Sequence, residues 1–185
     1  MAVRNAGAWL CLLGGTLWAT KMAFDWLVLE RVINRGYPPS HVTDYLDFLF
    51  PLLCIGAVWE IAQRYGAAVG KAPHALAIGL ACTAAFQFSE AYLTHSGIPF
   101  GLVFFLTGHL LMLAGLLFLG RRIGKRGLLF WSQLALFITI VSVCASPFFT
   151  QSLPIELATA VTVSLMAAVG MLWAVVGAAL IVDVA

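Results

Sequence analysis

The chain has 185 residues, of which 62% are hydrophobic and only 10% charged, with a net charge of +2. A water-soluble domain carries roughly 25% charged residues, so there are too few charges here to coat a water-facing surface. The small net charge, without a basic patch interleaved with aromatics, excludes nucleic acid as a partner.

Six apolar runs, at 7–29, 44–64, 73–94, 98–119, 128–147 and 153–182, are each long enough to cross a bilayer, since a hydrocarbon core about 30 Å thick takes about 20 residues of helix. They consume nearly the whole chain. The expected fold is therefore all-α: one polytopic membrane domain over 1–185, a bundle of six transmembrane helices. The first run follows Arg4, as a signal peptide would, but it continues past a normal signal core and no A-x-A site follows it; retention of this helix is expected. Gly15, Ala19 and Ala23 recur on it every fourth residue, a spacing that lets helix backbones approach closely in lipid. Lys21 and Asp25 are also four apart, share a face and can pair. By the rise per residue they lie in the outer half of the membrane, where Lys21 can also extend toward the headgroups.

The segment Gly36-Tyr37-Pro38-Pro39-Ser40 breaks the helix, and Thr43 or Asp44 offers an N-cap for the second span. His41, Asp44 and Asp47 there, with His95 after the third span, are metal-ligand types. Acidic residues also suit the positive end of a helix, and that reading is preferred; no metal is assigned. Pro51 falls inside the second span and predicts a kink. Glu60 and Arg64, four apart near its inner end, read as a surface ion pair.

Pro73, Pro99 and Pro154 stand at span starts, where a missing N–H costs little. On the third span Gly79, Thr83, Gln87, Glu90 and Thr94 form one helix face, too polar to look at lipid. On the fourth, His109 lies at mid-membrane depth beside Gly108. A bis-histidine haem would need ligands of matched depth, and His74, His95 and His109 stand at three different depths; no cofactor is expected. The fifth span carries Ser132, Ala135, Thr139, Ser142 and Ser146, hydroxyls that can bond their own helix backbone; Pro147 predicts its end. The sixth repeats the small-residue spacing at Gly170, Ala174 and Ala178. Cys11, Cys54, Cys82 and Cys144 all fall inside apolar runs and read as packing residues rather than disulfide or zinc ligands. Trp26 and Trp131 stand where an aromatic belt would.

Basic residues alternate sides. Arg4, Arg64, Lys71, Arg121, Arg122, Lys125 and Arg126 fall on one side; Arg31, Arg35 and the nearby Lys21 on the other. The positive-inside rule puts the seven in the cytoplasm, with both termini, and a prokaryotic plasma membrane is the expected location. No Walker A, GxSxG, HExxH or dinucleotide fingerprint occurs.

Ionisable groups inside spans are costly unless paired or hydrated, and so mark candidate sites. The leading expectation is a small-molecule binding or transport module whose ligand-binding residues Lys21, Asp25, Gln87, Glu90 and His109 line a polar cavity in the outer half. Two alternatives stand beside it. One is an intramembrane enzyme acting on a lipid, with Glu90 and His109 as an acid–base pair. The other is a structural or accessory subunit that meets a partner membrane protein through its small-residue helix faces.

Overall fold

The computed structural model describes residues 5–24, 41–93, 100–123 and 127–182, without the side chains of 41–44, 90–93, 100–102, 147 and 155–156. Every element among them is helical: α1 (Ala6–Phe24), α2 (His41–Tyr65), a short 3-10 helix (Gly66–Val69), α3 (Ala72–Leu93), α4 (Phe100–Arg122), α5 (Leu128–Thr150) and α6 (Ile155–Val182). Four stretches are long and apolar enough to cross a bilayer: Tyr45–Val69, Val103–Arg122, Leu128–Ser146 and Leu157–Val182. These are compatible with a membrane location. Among the described residues α1 and α3 are not in that set; Lys21 weakens the first, and His74 and Gln87 weaken the third.

The helices form a closed ring in chain order. Each packs on the next, and α1 closes the circle on α6. Glycines set the closest seams. A Cβ on Gly15 would meet the Gly170 carbonyl and come within 2.6 Å of the Ala174 nitrogen, and one on Gly177 would come within 2.6 Å of the Ala8 carbonyl. The small-residue spacings of the first and sixth runs therefore meet each other inside the bundle. Ala23 departs from the pattern and is exposed. Gly7 meets Gly56 between α1 and α2, and Gly79 meets Gly108 and Met112 between α3 and α4. In all three seams low numbers on one helix face high numbers on the other, so the neighbours run antiparallel. Arg64, Lys71, Arg121 and Arg122 consequently gather at one end of the bundle, which we call the basic end.

Helix ends obey local chemistry, with one departure from expectation. α5 does not stop at Pro147 but continues to Thr150. A helical proline leaves the carbonyl four residues earlier without its N–H partner, here that of Val143. The Ser146 hydroxyl donates to that carbonyl at 2.8 Å, which relieves one of the two costs of proline. The other α5 hydroxyls behave alike: Ser132, Thr139 and Ser142 donate to Leu129, Ala135 and Ile138 carbonyls. The polar stripe of α5 is thus satisfied within its own helix. α2 also continues through Pro51, which is buried.

The Gly15 seam generates a stability prediction. Gly15→Ala gains about 1 kcal/mol of helix propensity, yet its methyl would strike the α6 backbone rather than a flexible side chain. A net destabilisation of about 1–3 kcal/mol, the usual range for overpacking, is expected. A thermal-unfolding midpoint in detergent equal to or above that of the parent would show that α1 and α6 are not held this close.

Candidate functional site

Lys21 sits on the last turn of α1, buried, roughly 22 Å from the start of the helix by the helical rise. Its Nζ donates to both carboxylate oxygens of Asp47 on α2, at 2.8 Å to Oδ1 and 2.7 Å to Oδ2. The Trp18 indole N–H donates to the same Oδ1 at 2.9 Å, and its ring stacks on Phe50 with centroids 4.5 Å apart. Trp18 lies one turn below Lys21 and Phe50 one turn from Asp47, so the i, i+3 spacing on two antiparallel helices builds the cluster. Asp47, which in sequence resembles part of an acidic helix start, is the cross-helix counter-ion of Lys21. Asp25 lies outside the described residues.

The other predicted site residues are placed as follows. Gln87 is half-buried on α3. Glu90 is on the same helix, with its side chain outside the described set. His109 is half-buried on α4; its Nδ1 is 2.8 Å from the Phe105 carbonyl, to which it donates, and its ring lies against Phe105 at 4.2 Å. In the neutral ring that bond puts the proton on Nδ1 and leaves Nε2 as the acceptor. Lys21 and His109 sit on helices that share no extensive contact, because α1 is flanked by α2 and α6. Gln87 and His109 share the α3–α4 pair, where Phe86 meets Phe105 at 5.2 Å. Among the described residues no group of three or more His, Cys, Asp or Glu is arranged to hold a metal ion.

A second polar centre lies near the basic end. Glu60 and Arg64 read from sequence as a surface ion pair, but Glu60 is only 5% exposed. One of its oxygens accepts the Ala8 backbone N–H at 2.7 Å, and the other accepts from Arg64 at 2.5 Å. Arg64 also donates to the Leu180 carbonyl and, at 3.2 Å, to Asn5 Oδ1. A carboxylate thus meets the unpaired N–H groups at the start of α1, and a guanidinium meets the unpaired carbonyls at the end of α6. Both contacts match charge to the helix dipole. The i, i+4 spacing identified the pair, but only the tertiary arrangement makes it a three-helix clamp.

No family model matches the chain, and no curated protein or solved structure does so either. The reading of function therefore rests on these two centres and the surfaces around them.

The clamp carries its own prediction. Glu60→Ala removes the acceptor of Ala8 and strands a partly buried guanidinium, which is expected to cost roughly 3–5 kcal/mol. Glu60→Gln keeps an acceptor for the helix start and should cost clearly less. Equal losses for the two, measured by thermal unfolding in one detergent, would rule out capping of α1 as the role of Glu60.

Proposed function

We propose that the chain is a six-span membrane protein with both termini and its basic end in the cytoplasm. We propose further that the Lys21–Asp47 pair is the charged centre of a small-molecule binding or transport module in its outer half. Two observations support six spans. α1 turns Leu10, Leu13 and Leu17 outward, and α3 exposes Ile78 and Phe88, as the four strongly apolar helices do with their own large side chains. A soluble surface rarely carries contiguous apolar patches of that extent. Three exposed tryptophans, Trp9, Trp59 and Trp131, stand toward the basic end, as an interfacial belt requires.

The observation that carries the functional reading is the Lys21–Asp47 pair itself. It is a charge pair in the outer half of an apolar bundle, made between two side chains rather than to backbone. Charges held at such depth are expensive, and their usual justification is a ligand or ion path. A zwitterionic ligand would exchange with the pair, its carboxylate taking Lys21 and its ammonium taking Asp47, so that neither protein charge is left unpaired. Trp18 and Phe50 would supply the apolar wall, with an aromatic face available to the cation. Asp25, Gln87, Glu90 and His109 complete the outer-half lining in this proposal. A purely structural pair is the competing account, favoured by the close 2.7 Å contact.

Two experiments test the topology and the pair in turn. First, single cysteines at Gly97 and Gly124, in a background without native thiols, are expected to react with an impermeant reagent from outside only at Gly97; the reverse pattern would invert the topology. Second, thermal shifts with a panel of zwitterionic amino acids and betaines should stabilise the parent protein. Lys21→Met is expected to unfold most readily, because it leaves a buried carboxylate unpaired. Lys21→Met with Asp47→Leu should recover folding yet lose the ligand-induced shift. A panel that leaves the parent midpoint unmoved, with a fully stable double variant, would make the pair a packing device and the chain an accessory subunit.

A further inference from the structure

The seam between α4 and α5 is the least extensive in the ring among the described residues, and it is not filled. A cavity of about 260 Å³ lies there, lined by Leu116, Leu117, Gly120, Arg121, Gln133 and Phe137 with their neighbours. Gly120 differs from the seam glycines: a Cβ there would meet nothing within 4 Å. Gln133 is 2% exposed, and neither its amide nitrogen nor its amide oxygen has a hydrogen-bond partner among the described residues. A buried carboxamide without partners is costly, and native interiors seldom tolerate one without a reason. Every α5 hydroxyl described above is satisfied by its own helix, which makes Gln133 the exception on that element.

We propose that this slot binds an anionic glycerophospholipid from the leaflet at the basic end. Depth argues for it. Arg121 is on the last turn of α4 and its side chain is exposed, at headgroup level. Gln133 is about 8 Å into α5 by the helical rise, at the level of the ester carbonyls. Phe137, one turn further into α5, lies deeper, where an acyl chain runs, and Leu116 faces the slot at about the level of Gln133. Leu117 and Leu134, on the lining, are exposed, so the slot opens toward lipid rather than toward the bundle interior. The phosphate would pair with the Arg121 guanidinium. The Gln133 amide N–H donates to an ester carbonyl, the bond that its burial otherwise leaves unmade. The cavity is smaller than a drug-sized pocket of about 300–1,000 Å³; it suits one chain and its ester rather than a whole soluble ligand. Basic pockets between helices at the cytoplasmic face are established lipid headgroup sites in membrane proteins generally. The site is independent of the Lys21–Asp47 pair, and its fate does not decide the function proposed above.

Native mass spectrometry of the delipidated full-length protein in detergent, titrated with dioleoyl phosphatidylglycerol or dioleoyl phosphatidylcholine, tests this. Phosphatidylglycerol is expected to bind roughly tenfold more tightly, and Gln133→Leu and Arg121→Ala should each weaken it about fivefold to tenfold, the worth of one charge-assisted or buried hydrogen bond. Gly120→Leu fills open space, so it should fold normally and lose the bound lipid altogether. It keeps the test decisive if the Gln133 variant folds poorly. Unchanged phosphatidylglycerol affinity in Gly120→Leu would overturn the proposal, as would equal retention of the two lipids. So would full displacement of the lipid by millimolar inorganic phosphate, because that would reduce the slot to an anion site without an acyl chain.

Discussion

The close approach of α1 to its two neighbours is the constraint on which the rest of the bundle depends. Lipid tails are as apolar as leucine, so helices in a bilayer gain little from hiding apolar side chains against one another. They associate through van der Waals contact and polar bonds, and both need backbones to come near. Gly7 and Gly15 permit that approach, the first to Gly56 of α2 and the second to Gly170 of α6. Once α1 is seated, its register is fixed by polar contacts at both ends. There are thirteen positions from Ala8 to Lys21 on α1 and thirteen from Asp47 to Glu60 on α2. Both helices rise by the same amount per residue, so the Glu60 contact and the Asp47 contact close together. A slip of one residue would break both.

That register also explains which parts of the site could be read from the chain. Lys21 stood out because a lysine inside an apolar run is conspicuous. Its described partner was not legible, because sequence spacing reveals only neighbours on the same helix, and Asp25 at i+4 was the available one. Asp47 was visible but had an adequate local account as part of an acidic helix start. Glu60 and Arg64 were recognised as a pair for the same i, i+4 reason, while their burial depends on where α1 begins and α6 ends. Gln133 was missed altogether. The polar stripe on the fifth span was read from serine and threonine positions, and Gln133 lies beside it, one position from Ser132. A single glutamine off the face of that stripe adds no periodic signal of its own.

The helical elements were easier. Hydrophobic run length and proline position locate a helix in lipid because the backbone has no alternative partner there. The described ends of α3 and α6 fall within a few residues of the spans read from sequence. Pro147 is the instructive exception. Proline ends a helix in water because the freed carbonyl can turn to solvent and the chain can leave. In an apolar setting leaving costs more than staying, and Ser146 supplies a substitute donor to Val143. The same serine that looked like part of a polar stripe is a repair for the next residue.

The two polar centres differ in a way that bears on function. In the clamp, Glu60 and Arg64 spend bonds on the backbone of Ala8 and Leu180. Those acceptors and donors belong to helix ends and cannot move without moving the helices, so any ligand that displaced them would unseat α1 and α6 together. The described contacts of Lys21 with Asp47, and of Asp47 with Trp18, are all between side chains. Rotamer changes alone could open them, at a cost that a zwitterion carrying one group of each charge would offset by replacing each bond lost. A centre bonded to backbone is suited to holding helices in register, and a centre bonded through side chains is suited to exchange. Our functional reading therefore rests on Lys21 and Asp47 and leaves Glu60 and Arg64 to the fold, although the two pairs carry the same charges and both tie α1 to α2.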